Sequence, residues 1–384
     1  MDAEQSKLLV EVSAGTPMGI LLRSFWQPIA VADKLAPGQA RGLRVMNEEL
    51  TLFRGQSGRF YLVGGRCAHR GTVLHTGWVQ GEQIRCMYHG WRYAGTGQCT
   101  EMPAETHPRP ELVKIAGYPL HEYCGVLFAY MGEGPAPSFE LPRKDSLEEP
   151  GCFILHQEQV WDCHWFQQIE NSLDAAHVSY VHMWGKLGRF GEEITAASPE
   201  LSYEETSAGI RQIARRPGNN VRVSDWTFPN NNHIVSAGLV KGEPWFHTSV
   251  WAVPIDERNT RRFTIVAIPP TAAATAELMA AEMANNYDPS QHYDELFDRH
   301  HVPKQGEGYG LTSTQDYVAL RGQGAIADRG AERLGRTDAG IALLRKIFLR
   351  ELAAIRAGKP PKPWRKLQEA PDMPSPPAAQ SAAR

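Results

Sequence analysis

The chain has only six cysteines in 384 residues, too few for a disulfide scaffold. It has no run of about 18 apolar residues, so no membrane span is expected. It carries no excess of either charge. A net charge of −3 and a pI near 6.5 argue against nucleic acid as the main partner. Its first residues, "MDAEQSKLLVEV", are acidic and lack the basic-then-apolar pattern of a signal peptide, so a cytoplasmic location is expected. There is no internal repeat. What remains is an ordinary globular composition, 42% apolar and 22% charged, long enough for one large or two ordinary domains.

The texture changes along the chain. Residues 1–45 hold a short apolar helix and an extended stretch and are expected to pack on the C-terminal domain. From 46 to 145 short strands and turns dominate. "ELTLFR" and "RFYLVGG" flank "GQSG" and read as a hairpin. A Pro, Gly and charge-rich stretch at 132–151 marks a boundary. Residues 150–358 then mix helical patterns with alternating strands, an α+β domain. Its last helix has Ile341, Leu344, Phe348, Leu352 and Ile355 at the spacing of one buried face. The tail, 359–384, is Pro- and Ala-rich and reads as a wrapping arm or as disordered.

With disulfides excluded, paired Cys and His point to metal. Cys67 and His69 lie in "CAHRG", and Cys86 and His89 in "CMYHGW", with sixteen residues between the pairs. Finger-type zinc sites group Cys with Cys and His with His. Here each loop supplies one of each. That suits two adjacent irons, one taking both thiolates and the other both imidazoles, the Rieske [2Fe–2S] arrangement. Gly71 and Gly90 let each loop close tightly. The other four cysteines lack cluster spacing and read as packed thiols.

A second constellation is "ENSLDAAHVSYVH", with His177 and His182. Two His and one carboxylate bound on one face, with open positions, suit a non-haem Fe(II) that activates O2. On a helix the five-residue gap would put the histidines about 140° apart, at about 100° per residue. A break between Val178 and His182 is therefore expected. Asp174 and Glu170 are near candidates for the carboxylate, but both suit supporting roles. Asp316, at the start of a helical stretch, and Asp328 are distant ones. His300 and His301 read as a solvated helix end.

These motifs resemble those of the oxygenase component of Rieske non-haem iron oxygenases. The resemblance runs from about "FWQPIAVADKL" to "IADRGAERLGRTDAGI", and its C-terminal part is similar to the phthalate dioxygenase-like branch. It implies an α+β chain with an N-terminal all-β Rieske domain. A catalytic domain follows, with an antiparallel sheet flanked by helices, helix-grip or START-like. It implies that Cys67 and Cys86 bind one cluster iron and His69 and His89 the other. It implies that His177, His182 and Asp316 hold a mononuclear Fe(II), with Asn171 beside it. Asp174 would bridge a triad histidine to a cluster histidine of a neighbouring subunit. A head-to-tail ring, a trimer or dimer of trimers, would bring cluster and iron of different chains together. The chain has neither a plant-type cluster motif nor a nucleotide-binding fingerprint. Electrons would then come from a separate NAD(P)H-dependent reductase, with or without a ferredoxin.

The substrate pocket is expected between the sheet after residue 200 and helices at 275–305. Among Arg211, Arg215, Arg216 and Arg222, the first choices to clamp an aromatic carboxylate are Arg215 and Arg222. Trp226, Phe228, His233 and Trp251 are candidate walls. The leading expectation is hydroxylation of an aromatic carboxylate in aromatic catabolism. O- or N-demethylation is the alternative within the family. A Rieske electron carrier without catalysis is a third reading, disfavoured because it needs no triad.

Overall fold

The computed structural model describes residues 1–141, 145–182, 197–217, 220–236, 238–240, 242–284 and 309–364. The chain divides into two compact units. One is Glu11–Phe139 with Val253–Glu257, the other Met1–Val10, Glu140–Ala252 and Arg258–Arg384.

The first unit is built of short strands: β1 (Gln27–Val31), β2 (Ala40–Val45), β3 (Glu48–Arg54), β4 (Phe60–Gly64), β5 (Trp78–Gln80), β6 (Gln83–Arg85), β7 (Arg92–Ala94), β8 (Cys99–Glu101), β9 (Gly117–Tyr118), β10 (Leu120–Tyr123) and β11 (Val126–Ala129). They form three sheets, ordered β1-β11-β10, β2-β3-β4-β9 and β5-β6-β7-β8. The hairpin expected around "GQSG" is β3–β4, with Arg54 opposite Phe60. Phe53, Val63, Leu74, Ile84 and Tyr93 form a buried cluster that also takes in Cys67 and Cys86. Of residues 1–45, only Met1–Val10 groups with the second unit. The rest stays with the first because β1 pairs with β11, and strand pairing fixes the segment to that sheet.

The second unit holds one seven-stranded sheet of β12 (Phe153–Trp161), β13 (Glu200–Glu205), β14 (Gly209–Arg216), β15 (Asn220–Thr227), β16 (Asn231–Ser236), β17 (Phe246–Pro254) and β18 (Thr260–Ile268). β13 to β18 follow one another as a meander, and β12 closes the edge beside β18. Alternation along β14 puts Ile210, Gln212, Ala214 and Arg216 on one buried face. The register sets Gln212 opposite Ser224 and Ala214 opposite Arg222.

Three helices matter for the site: Trp165–Ser172, Tyr309–Gly322 and Ala339–Arg356. The first begins at His164, whose Nδ1 accepts from the Phe166 N–H, while its Nε2 lies 3.3 Å from the Val10 carbonyl. Burial, helped by the Arg329 charge, holds the His164 pKa down at about 3, so the imidazole is neutral and can both accept and donate. The last helix buries Leu344, Phe348 and Leu352 completely, three of the five positions picked out by spacing. Phe348 meets Trp165, Phe166, Trp226 and Phe228 with ring centroids 5.0–5.9 Å apart.

The tail is part packed. Lys362 bonds Glu205 and Glu351, and Trp364 stacks on Phe228 at 4.5 Å. Residues 365–384 lie outside the described residues.

Candidate active site

In the first unit two loops are near copies of each other. The Cys67 N–H donates to the Thr72 carbonyl, and the Gly71 N–H to the Cys67 carbonyl. Likewise the Cys86 N–H donates to the Trp91 carbonyl, and the Gly90 N–H to that of Cys86. The fifth residue of each loop has a left-handed φ, +73° at Gly71 and +75° at Gly90, a conformation that glycine adopts without strain. Both thiols are buried, and His69 and His89 are half-buried with rings 4.5 Å apart. His69 stacks on Trp91 at 4.7 Å and 7°.

Burial, together with the neighbouring Cys67, pushes the Cys86 thiol pKa up. Burial, with His69 and Arg70 nearby, pushes that of His89 down, which favours the neutral form that binds metal. The Tyr93 hydroxyl accepts from the Ala68 N–H and lies 3.2 Å from the Cys67 sulfur. Hydrogen bonds to cluster sulfurs are one of the levers on a Rieske potential.

These four residues do not close round one ion. Among the described residues, the group of three or more donors that converges within 4.8 Å is a different one: His177, His182 and Asp316. A single tetrahedral zinc needs four donors at one point. Two irons with two protein donors each do not, so the donor set fits a [2Fe–2S] cluster better than zinc.

The second site grows from a broken helix in the other unit. After Ser172 a continuing helix would give the Leu173 carbonyl to the His177 N–H. Instead Leu173 O accepts from Gln212 Nε2 at 2.5 Å and the Tyr203 hydroxyl at 3.0 Å. The His177 and Ala176 N–H groups turn to Asp174 Oδ1, at 3.2 and 3.0 Å. The sheet thus takes the helix end, and Asp174 starts the next turn, Val178–Val181. This corrects the expected position of the break. It lies between Ser172 and Val178, not between Val178 and His182. His177 and His182 cap the two ends of a four-residue turn, where relaxed backbone lets their rings approach to 5.4 Å.

Asp316 Oδ1 lies 3.4 Å from His177 Nε2 and 3.3 Å from His182 Nε2. Asp316 sits within the Tyr309–Gly322 helix rather than at its start. Asn171 Nδ2 approaches the same oxygen at 3.4 Å. Burial works against the Asp316 charge, but the two imidazoles hold its pKa well below the usual carboxylate range. Burial also works against protonating His177, yet Asp316 and Asp174 hold its pKa above the usual value. Two imidazole nitrogens and one carboxylate oxygen facing one point are a fit for a divalent iron.

Sequence reasoning missed Gln315, whose Oε1 accepts from His182 Nδ1 at 2.9 Å. That bond leaves Nε2 to face the site. The other carboxylates are occupied or turned away. Glu170 pairs with Arg329 at 2.8 Å and Arg345 at 2.7 Å, and exposed Asp328 accepts from the Gly330 N–H. His300 and His301 lie outside the described residues.

A cavity, part of it open to solvent, adjoins the three donors. Arg222, Ser224, Asn232, Thr248 and Arg262 line it from the sheet. Its helical wall comes from Trp165–Ser172 and Tyr309–Gly322, and none comes from the described part of 275–305. There Ala276, Met279 and Met283 pack on Phe246, Val266 and Ile268; residues 285–308 lie outside the described residues. Arg222 lines the cavity, whereas Arg215 does not. Arg215 is exposed and bonds Ser202, because the period of two turns it to the opposite face. Its neighbour Arg216 shares the face of Gln212 and is buried, its three guanidinium nitrogens without a partner among the described residues. Trp226, Phe228, His233 and Trp251 are buried core residues, not walls. His233 bonds Ser249 and His247 instead.

Comparison with known proteins follows the same division. Residues 25–119 match the family described as Rieske [2Fe-2S] domain, and residues 129–368 match the family described as LigXa C-terminal domain like. The chain is 32% identical to the 5,5'-dehydrodivanillate O-demethylase oxygenase subunit of Sphingobium sp. (strain NBRC 103272 / SYK-6), over 94% of this chain and 83% of the relative. It is also 32% identical to the phenoxybenzoate dioxygenase subunit alpha of Ectopseudomonas oleovorans, over 92% and 86%. Among solved structures, Pseudomonas putida CBB5 NdmA QL mutant with caffeine matches with a TM-score of 0.68 at 21% identity, over 88% of this chain and 92% of that one. That likeness is one of fold.

Proposed function

The chain belongs to the Rieske non-haem iron oxygenases, and from that membership we propose that it is the terminal oxygenase of a multicomponent system acting on an aromatic, carboxylate-bearing compound. The observation that carries this is the convergence of His177, His182 and Asp316 beside a cavity, in a chain that also has the twin Cys/His loops. Cys67 and Cys86 would hold one cluster iron, His69 and His89 the other, and His177, His182 and Asp316 would hold Fe(II). When bound, the cluster supplies single electrons and the mononuclear iron supplies O2 chemistry.

The chain's own residues do the rest. Gln315 fixes the His182 tautomer. Asn171 donates to Asp316 and steadies its carboxylate. The cavity holds the ring near the three donors, with Arg222 on its wall. Electrons arrive from a separate NAD(P)H-dependent reductase, directly or through a ferredoxin; the relative's description as an oxygenase subunit supports such a division of labour. The working assembly is a ring, a trimer or dimer of trimers, in which Asp174 faces the neighbouring chain's cluster. Supporting that role, Asp174 spends Oδ1 on backbone, while Oδ2 makes no hydrogen bond among the described residues.

O- or N-demethylation by the same site is a second reading, favoured by the 32% identity to an O-demethylase subunit. No described helix is long and apolar enough to cross a membrane.

The test uses purified chain, a surrogate reductase and a panel of aromatic carboxylates and aryl ethers. We expect about three irons per chain, two in the cluster and one in the triad, and an oxygenated product. Phenol plus formaldehyde marks demethylation, and a hydroxylated ring marks the first reading. Asp174→Asn keeps its iron content but loses coupled product. Two irons per chain with no product from any compound would reduce the protein to an electron carrier.

A further inference from the structure

Resting on the oxygenase reading, we infer that Arg262, rather than Arg222, is the residue that recognises an anionic group on the substrate. Arg262 lines the cavity from β18 and is half-buried. Its Nη1 is tied back to Gln159 Oε1 at 3.2 Å and to Ser313 Oγ at 3.5 Å. Its guanidinium carbon stands 5.2 Å from the centre of the Trp161 ring. All these partners are neutral, and no carboxylate among the described residues compensates the charge. The Nε–Nη2 edge donates to no described group and is not sealed from solvent.

A guanidinium fixed by one nitrogen, with its opposite edge open, presents the two parallel N–H groups that a carboxylate accepts side by side. The acidic groups on the same cavity are committed elsewhere. Asp316 faces two imidazoles, and Asp174 Oδ1 takes two backbone N–H groups. Ser313 precedes Asp316 by three residues on one helix, so both lie on one face. Arg262 is thereby anchored ~4.5 Å along the helix axis from Asp316, three residues at ~1.5 Å each, so an anion on its open edge lies in the same cavity as the triad. Arg222 is three strands away in the sheet order, roughly 14 Å at ~4.8 Å per strand.

The experiment measures binding of 3-methoxybenzoate and of its neutral isostere 3-methoxybenzamide to the metal-loaded full chain by calorimetry. We expect the wild type to prefer the acid at least ten-fold. Arg262→Met should weaken acid binding roughly ten- to a hundred-fold, the range of a lost charged hydrogen-bond pair, and leave the amide unchanged. Arg222→Met should keep the preference. Acid binding by Arg262→Met within two-fold of wild type overturns the inference, as does a wild type with no preference, or a preference lost in Arg222→Met instead.

If Arg262→Met lacks cluster absorbance, Arg262→Gln decides by the same comparison. Product formation, assayed separately with the surrogate reductase, keeps the two readings apart. Turnover of neutral ethers without acid preference overturns the Arg262 subsite alone. Acid preference without product from any aromatic compound overturns the oxygenase reading alone.

Discussion

A single amide decides which nitrogen of His182 faces the triad. Gln315 accepts from Nδ1, and without it the imidazole is free to take the other tautomer or rotate. Gln315→Leu should therefore weaken Fe(II) binding about 10- to 100-fold, the usual effect of losing a ligand's supporting partner. Iron titration of chelator-stripped protein measures this, and the cluster's visible absorbance should stay unchanged. Gln315→Glu, which keeps an acceptor, should retain most of the affinity. At this scale the donor types were legible and their selection was not. Spacing alone left Glu170, Asp174, Asp316 and Asp328 open as the carboxylate, because the choice rests on contacts across more than a hundred residues. Arg215 was chosen over Arg216 for a similar reason. A strand's inward face depends on register, and a shift of one residue inverts it. Arg262 went unnoticed because the bonds that aim it, to β12 and to the Tyr309–Gly322 helix, are all tertiary.

Among the elements, the helix break and the docked tail show how side chains overrule local pattern. "NSLDAAHVSYVH" reads as one helix with an awkward gap, and the need for a break was visible. Its position was not, because Gln212 and Tyr203, which take the Leu173 carbonyl, come from strands later in the chain. The hairpin and the last helix were legible, since their periodicities are local. The segment after that helix is clasped by Glu205. Hydrogen bonds from Arg350 and Lys362, with their charges, hold the Glu205 pKa down at about 2. A lowered carboxylate pKa means the clasp is complete above the unfolded value of ~4.3 and is lost as the pH falls toward about 2. At neutral pH, Glu205→Gln should mimic the acid state. Tryptic cleavage of the Arg356–Ala357 bond, where the last helix ends, followed by mass spectrometry, should be several-fold faster in that variant, while the far-ultraviolet dichroism is unchanged.

For the whole molecule, the ring proposal has a genetic signature. If electrons cross from the cluster of one chain to the iron of the next, two different defects can complement. Cys86→Ser should abolish the cluster, Asp316→Ala the mononuclear site, and each homo-oligomer should be inactive. Co-expressed chains, each with its own affinity tag and purified through both, should recover a measurable fraction of wild-type product. Absence of recovery in mixed rings of confirmed composition would place the electron path within one chain. The meander of β13 to β18 has a consequence for descent and redesign. His177, His182 and Asp316 sit on the helical segments before and after that meander, while Arg222, Ser224, Asn232, Thr248 and Arg262 stand on its strands. Reagent and mould are thus encoded in separate stretches of the gene. Recombining codons 200–268 between relatives, with Tyr203 and Gln212 kept to hold the helix end, should exchange what is oxidised while inheriting the oxidising apparatus.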